Sequence, residues 1–116
     1  MSVIILPEVL EYLDNVAFIL FEKEYFSYLD TSILYVDDLI DNIKATLPDK
    51  RHRRAPAYYA KYGRDVHYAS FKKNRRTTWY AFFTKYEVNG KTVYLVRYIG
   101  NNHTEAHHLY EGFTGE

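Results

Sequence analysis

"TTWYAFFTKYEVNGKTVYLVRYIG" (77–100) holds two runs of aromatic and β-branched residues on either side of Asn89-Gly90. Such runs favour strands. An Asn-Gly pair between them is the strongest short hairpin signal, because both residues accept the positive φ of a type I′ turn. The spacing predicts strands over 77–87 and 91–100. "HYASFKK" (67–73) has the same character, and "NRR" (74–76) reads as the turn before the hairpin. The second half of the chain is therefore expected to be a three-stranded antiparallel meander.

Strand side chains alternate between faces. Strict alternation puts Trp79, Ala81 and Phe83 opposite Tyr80 and Phe82. It also puts Val93, Leu95, Arg97 and Ile99 opposite Tyr94, Val96 and Tyr98. Both faces are largely apolar, so both need cover. Two helices can cover only one. The other is left for the loop 48–65, a C-terminal segment, a partner chain, or a second copy in a homodimer through this apolar face.

Upstream of the meander, "SVIIL" (2–6) reads as a short edge strand. Pro7 suits the first turn of a helix, where a missing N–H costs nothing. Leu10, Leu13, Val16, Ala17, Leu20, Phe21 and Tyr25 follow helical spacing, giving a first helix over about 7–27. Asp30, Thr31 or Ser32 can cap a second helix over about 32–46, with an apolar stripe at Val36, Leu39, Ile40, Ile43 and Leu47. Pro48 ends it. The short link between the two implies an antiparallel helical hairpin. "PDKRHRRAPAYYAKYGRD" (48–65), with two prolines, a glycine and many basic residues, reads as a connecting loop. The expected fold is thus α+β in one domain over 1–116: a short N-terminal strand, a helical hairpin on a three- to four-stranded antiparallel sheet, and a short C-terminal helical tail.

Composition narrows the class. The chain has 116 residues, 47% hydrophobic and 26% charged, enough for a core without disulfides. It has no cysteine, which excludes thiolate metal sites. No apolar run approaches the roughly 18 residues of a membrane span. No signal peptide is apparent, so a cytoplasmic location is expected. Net charge is zero, but it is unevenly distributed. Residues 1–50 carry ten acidic and three basic side chains, and residues 51–100 carry two acidic and twelve basic. A basic block of this kind can steer anionic partners such as nucleic acid, unless the acidic half neutralises it in the fold.

The candidate chemistry lies in "KKNRR" (72–76) and "RYIGNNHTEAHHLY" (97–110). Lys72, Lys73, Arg75 and Arg76 form either a solvated turn or a phosphate-binding edge, where arginine grips better than lysine. "KRHRR" (50–54) has the same two readings. Arg97, among apolar strand residues, either pairs with an acidic group from the helices or projects into a cleft to meet phosphate. His103 and His107 are spaced i, i+4. They can lie on a solvated helix, hold a metal, or, with His108 and Tyr110, serve as acid–base groups. Two histidines without a third ligand do not make a metal site. Tyr58, Tyr59, Tyr62 and Trp79 can stack on bases or fill the core.

The order of elements, the start "LPEVLEYLDNV" and the core "TTWYAFF…VYLVRYIGNNH" resemble the RelE/ParE superfamily of toxins from bacterial toxin–antitoxin pairs. The strand end is similar to a subgroup carrying "R-Y-I-x-N-N-H". The resemblance implies a small cytoplasmic toxin neutralised by an antitoxin protein. RelE-like members are endoribonucleases that cut mRNA on the ribosome and inhibit translation; ParE-like members poison DNA gyrase. It further implies metal- and cofactor-free attack of a ribose 2′-OH on the adjacent phosphate. Basic residues hold that phosphate, and a tyrosine or histidine near the C-terminus moves the proton. Carried onto this chain, Arg97, His103, His107, His108 and Tyr110 become the catalytic candidates, and Lys72, Lys73, Arg75 and Arg76 the RNA-binding ones. The sequence departs from the RelE pattern at several points. The arginine expected two positions after the final-strand glycine is Asn102, the family tyrosine falls near His108, and the early central-strand arginine falls near Thr78 or Trp79. The alternative implied is a ParE-like gyrase inhibitor or a catalytically degenerate binding module.

Overall fold

The computed structural model describes residues 2–109. Its elements run β1 (Ser2–Ile5), α1 (Pro7–Glu22), α2 (Leu29–Thr46), β2 (Arg53–Arg54), β3 (His67–Asn74), β4 (Thr77–Val88), β5 (Lys91–Asn101) and α3 (Asn102–Leu109). Two 3-10 turns, Leu47–Asp49 and Ala57–Tyr62, lie in the connection between α2 and β3. The α+β layout matches the sequence expectation. None of the described helices is long and apolar enough to cross a membrane.

The sheet is larger than expected, and mixed rather than antiparallel. Its five strands are ordered β1-β5-β4-β3-β2. β1 pairs in parallel with β5, Ser2 beside Val93 through Ile5 beside Val96. The helical hairpin supplies the crossover that a parallel neighbour requires. At the far edge the two residues of β2 pair with His67 and Tyr68. Asn89 (φ 52) and Gly90 (φ 78) make the predicted turn between β4 and β5.

α1 ends earlier than its apolar spacing suggests, and Glu24 takes a positive φ of 61 just beyond it. α2 begins earlier, at Leu29, so the candidate caps fall inside its first turn. There the Ser32 hydroxyl donates to the Leu29 carbonyl at 3.1 Å.

The helices cover one sheet face. Leu13, Leu39, Ile43, Phe71, Ala81, Phe83, Val96 and Ile99 are fully buried in that core. Each large side chain there contributes roughly 1.5–3 kcal/mol from burial. The Trp79 indole N–H donates to the Tyr35 hydroxyl at 3.0 Å, fastening sheet to α2 without a stranded polar group.

Alternation holds along β4 and fails on β5. Phe82 pairs with Tyr98 and Phe83 with Val96, leaving Arg97 as the extra residue of a β-bulge. Beyond the bulge the faces swap. Ile99 therefore joins Tyr94 and Val96 on the helix side, while Tyr98 packs in the opposite core. Of the face expected to hold Val93, Leu95, Arg97 and Ile99, Arg97 stays with Val93 and Leu95, and the inserted residue moves Ile99 to the other side.

Candidate functional site

The second face is covered from within the chain. The connection after β2 lays Tyr59 on Phe82, with ring centroids 4.2 Å apart and 20° between planes. Tyr62 stacks on Tyr98 at 4.8 Å and 7°. Leu109 of α3 joins the same cluster, beside Val66, Tyr68 and Tyr80. Loop and tail residues thus occupy the face for which an external partner was one option.

A buried carboxylate locks this layer. Glu105 of α3 is 3% exposed. It accepts hydrogen bonds from the Tyr59 hydroxyl at 2.8 Å, the Tyr98 hydroxyl at 2.7 Å and the Thr104 hydroxyl at 2.9 Å. Burial, and next the bond to Glu105, drive both tyrosine hydroxyls well above their ordinary pKa.

Arg97 lies beside this layer, next to Gly63 of the same connection. Its side chain lies on the loop side, with Val93 and Leu95, and reaches their partners on β4. Its Nε donates to the Thr84 hydroxyl at 3.0 Å and its Nη2 to the Tyr86 hydroxyl at 2.6 Å. Among the described residues the one ion pair is Arg54–Asp65 at 3.1 Å, exposed on both sides, so Arg97 has no carboxylate partner there. A half-buried guanidinium fixed by neutral hydroxyls keeps its charge for an incoming anion. The Tyr86 phenol is lowered from the usual tyrosine range, first by its hydrogen bond with Thr84 and then by Arg97.

Arg97 lines one cleft, and its two hydroxyl acceptors line another. One, of about 440 Å³, is lined by Arg97, Lys61, Tyr62 and Tyr98 together with Glu8 and Tyr12 of α1. The other, of about 600 Å³, holds the two Arg97 acceptors, Thr84 and Tyr86, with Arg54, Arg64, His67 and Lys85. Three cationic side chains there, Arg54, Arg64 and Lys85, face one carboxylate, Asp65, giving the cleft an anion-attracting balance. The His67 Nδ1 lies 2.8 Å from the Asp65 carbonyl. A carbonyl only accepts, so Nδ1 carries the proton that is shared with it.

The other predicted residues go elsewhere. His103 and His107 are exposed on α3. His108 stacks on Tyr58 at 3.6 Å and 9°. None of the three lines either cleft. Tyr110 lies outside the described residues. Lys72 and Arg75 are exposed, and the Lys73 ammonium sits 4.6 Å from the centre of the Tyr35 ring, on the helix side. The Arg76 carbonyl accepts from the Asn102 side chain at 3.0 Å. Asn102 also accepts from the Thr78 N–H at 3.0 Å, pinning the β3–β4 turn to the start of α3. Of the candidate set, only Arg97 lines either cleft. Among the described residues no group of three or more His, Asp or Glu side chains forms a metal site.

Sequence reasoning missed Tyr86, Lys61, Arg64 and His67 as site residues. The basic loop was the available signal for Lys61 and Arg64. Nothing local to Tyr86 or His67 marks them, because their neighbours come from other strands. No family model, curated protein or solved structure matches the chain.

Proposed function

We propose that this chain is a toxin of the RelE type, an endoribonuclease that halts translation and is neutralised by an antitoxin protein. The observation that carries the reading is Arg97. It is a half-buried arginine with no carboxylate partner among the described residues, held by Thr84 and Tyr86 and lining a cleft with Lys61. The element order, a short strand, a helical hairpin and then the antiparallel meander of β3, β4 and β5, supports the resemblance.

In this reading the scissile phosphate sits on Arg97. The ribose 2′-oxygen attacks phosphorus and the bond to the 5′-oxygen breaks. The products are a 2′,3′-cyclic phosphate and a 5′-hydroxyl. The guanidinium stabilises the extra negative charge of the transition state. Tyr86, as phenolate, takes the 2′-hydroxyl proton, and its lowered pKa enlarges the fraction able to do so. His67, which also lines that cleft, returns a proton to the leaving oxygen.

A second reading has its own observation. The tail histidines lie outside both clefts, as they would in a gyrase inhibitor or a binding module that has lost its acid–base group. The deciding test is pulse-labelling of protein and DNA synthesis after induced expression in bacteria without antitoxin, for the natural chain and Arg97→Ala. Arrest of protein synthesis first, abolished by the substitution, supports the ribonuclease. Arrest of DNA synthesis first transfers the proposal to gyrase. Arrest of neither leaves the binding module.

A further inference from the structure

We infer that the cleft between α1 and the 3-10 segment Ala57–Tyr62 is a guanine-selective nucleotide subsite read by Glu8. The inference rests on the ribonuclease reading for its biological role, but not for its test.

The cleft has the parts that single-stranded nucleotide recognition requires. Its volume of about 440 Å³ lies in the range of small-ligand sites. Aromatic rings come from two directions, Tyr12 from α1 and the stacked pair Tyr62 and Tyr98 from the opposite wall. Tyrosine rings stack on bases of any identity. Arg97 and Lys61 line the same cleft and supply cations for a phosphate. The hydrogen bond from Tyr98 to Glu105 fixes the aromatic wall before any ligand arrives.

Base identity falls to Glu8, the one carboxylate lining the cleft. It stands one helical turn before Tyr12, and residues four apart on a helix are neighbours. Its carboxylate therefore lies beside the ring on which a base would stack. A carboxylate is an acceptor with two oxygens. Guanine alone among the four bases presents two adjacent donors, N1–H and the 2-amino group, on its Watson–Crick edge. Adenine and cytosine each pair one amino donor with an adjacent acceptor, and uracil sets one N–H between two carbonyls. Each of these three turns a lone pair toward a Glu8 oxygen, which is unfavourable.

Isothermal titration of the whole chain with guanosine, adenosine, cytidine and uridine 5′-monophosphates, and with inorganic phosphate, tests this without a ribosome. Guanosine monophosphate should bind at least about tenfold more tightly than the other three. Glu8→Gln, at an exposed first-turn position, should keep the fold and erase that preference. Arg97→Lys should weaken all four nucleotides by a similar factor. Equal binding of the four, a preference that survives Glu8→Gln, or phosphate binding as tightly as the guanine nucleotide each overturns the site. Guanine selectivity in a chain that leaves translation untouched removes the ribonuclease reading and keeps the subsite. Translation arrest without guanine selectivity does the reverse.

Discussion

A methyl group at Gly100 would lie 2.6 Å from both the Cγ and the Oε2 of Glu105. The glycine is therefore the floor on which the buried carboxylate rests. Glu105 cannot retreat without leaving the Tyr59 and Tyr98 hydroxyls. Gly100→Ala should destabilise the protein by about 1–3 kcal/mol, the usual range for overpacking a filled site. The urea midpoint measures it, and an unchanged midpoint would mean that α3 shifts freely.

Removing the carboxylate should cost as much by another route. Glu105→Ala leaves the Tyr59 hydroxyl, on a fully buried residue, without its acceptor. An unsatisfied buried polar group costs about 1–3 kcal/mol. Glu105→Gln keeps one acceptor oxygen and should recover part of the loss. Equal midpoints for the Ala and Gln variants would show that packing, not hydrogen bonding, sets the cost.

The same tyrosines give a pH dependence with a definite sign. Tyr59 and Tyr98 are raised above their unfolded value of about 10, by burial first and the Glu105 hydrogen bond second. Above that pH the unfolded chain has released protons that the folded chain still holds. Stability should therefore be insensitive to these two groups below about pH 10 and fall as pH rises beyond it. Tyr98→Phe should flatten part of that fall. Thermal midpoints from pH 8 to 11, compared between the two chains, decide it.

Activity should show the opposite limb. If Tyr86 acts as phenolate, single-turnover RNA cleavage should rise with pH until its lowered pKa is passed. Tyr86→Phe should remove the limb without unfolding the chain. Arg97→Ala should lower the rate about 10²–10³-fold, the usual loss for one charge-stabilising donor. A pH profile unchanged in Tyr86→Phe would take the proton-transfer role away from this residue.

The parts of the fold that follow local rules were legible in the sequence. Asn89-Gly90 fixed the hairpin, and the stripe at Val36, Leu39, Ile43 and Leu47 fixed the face of α2. The bulge at Arg97 was not legible, because one inserted residue leaves an aromatic and β-branched run looking the same on either side. Its consequence is large: it moves Ile99 onto the helix side and Tyr98 onto the loop side. The inner layer was hidden for a different reason. Tyr59 lies in a stretch with every mark of a solvated loop, and its partner Glu105 is 46 residues away. The β1–β5 pairing also joins the two ends of the chain, so the mixed sheet emerges only from tertiary contact.

The histidines offer the sharpest contrast between residue type and position. His103 and His107 are exposed on α3, outside both clefts, so substitution by alanine should change stability by no more than about 0.5 kcal/mol. It should also leave translation arrest intact. His108 stacks on Tyr58, and its loss should loosen α3 while sparing the chemistry. His67 is the reverse case: it lines the cleft with Tyr86, its ring oriented by the Asp65 carbonyl. His67→Ala should lower RNA cleavage, and His67→Gln, which restores a donor but carries no titrating proton, should not rescue it. Comparing the four alanine variants in one arrest assay separates the two placements. If the tail histidines prove essential and His67 dispensable, the reacting phosphate sits over α3, and the cleft beside Arg97 is only a binding surface.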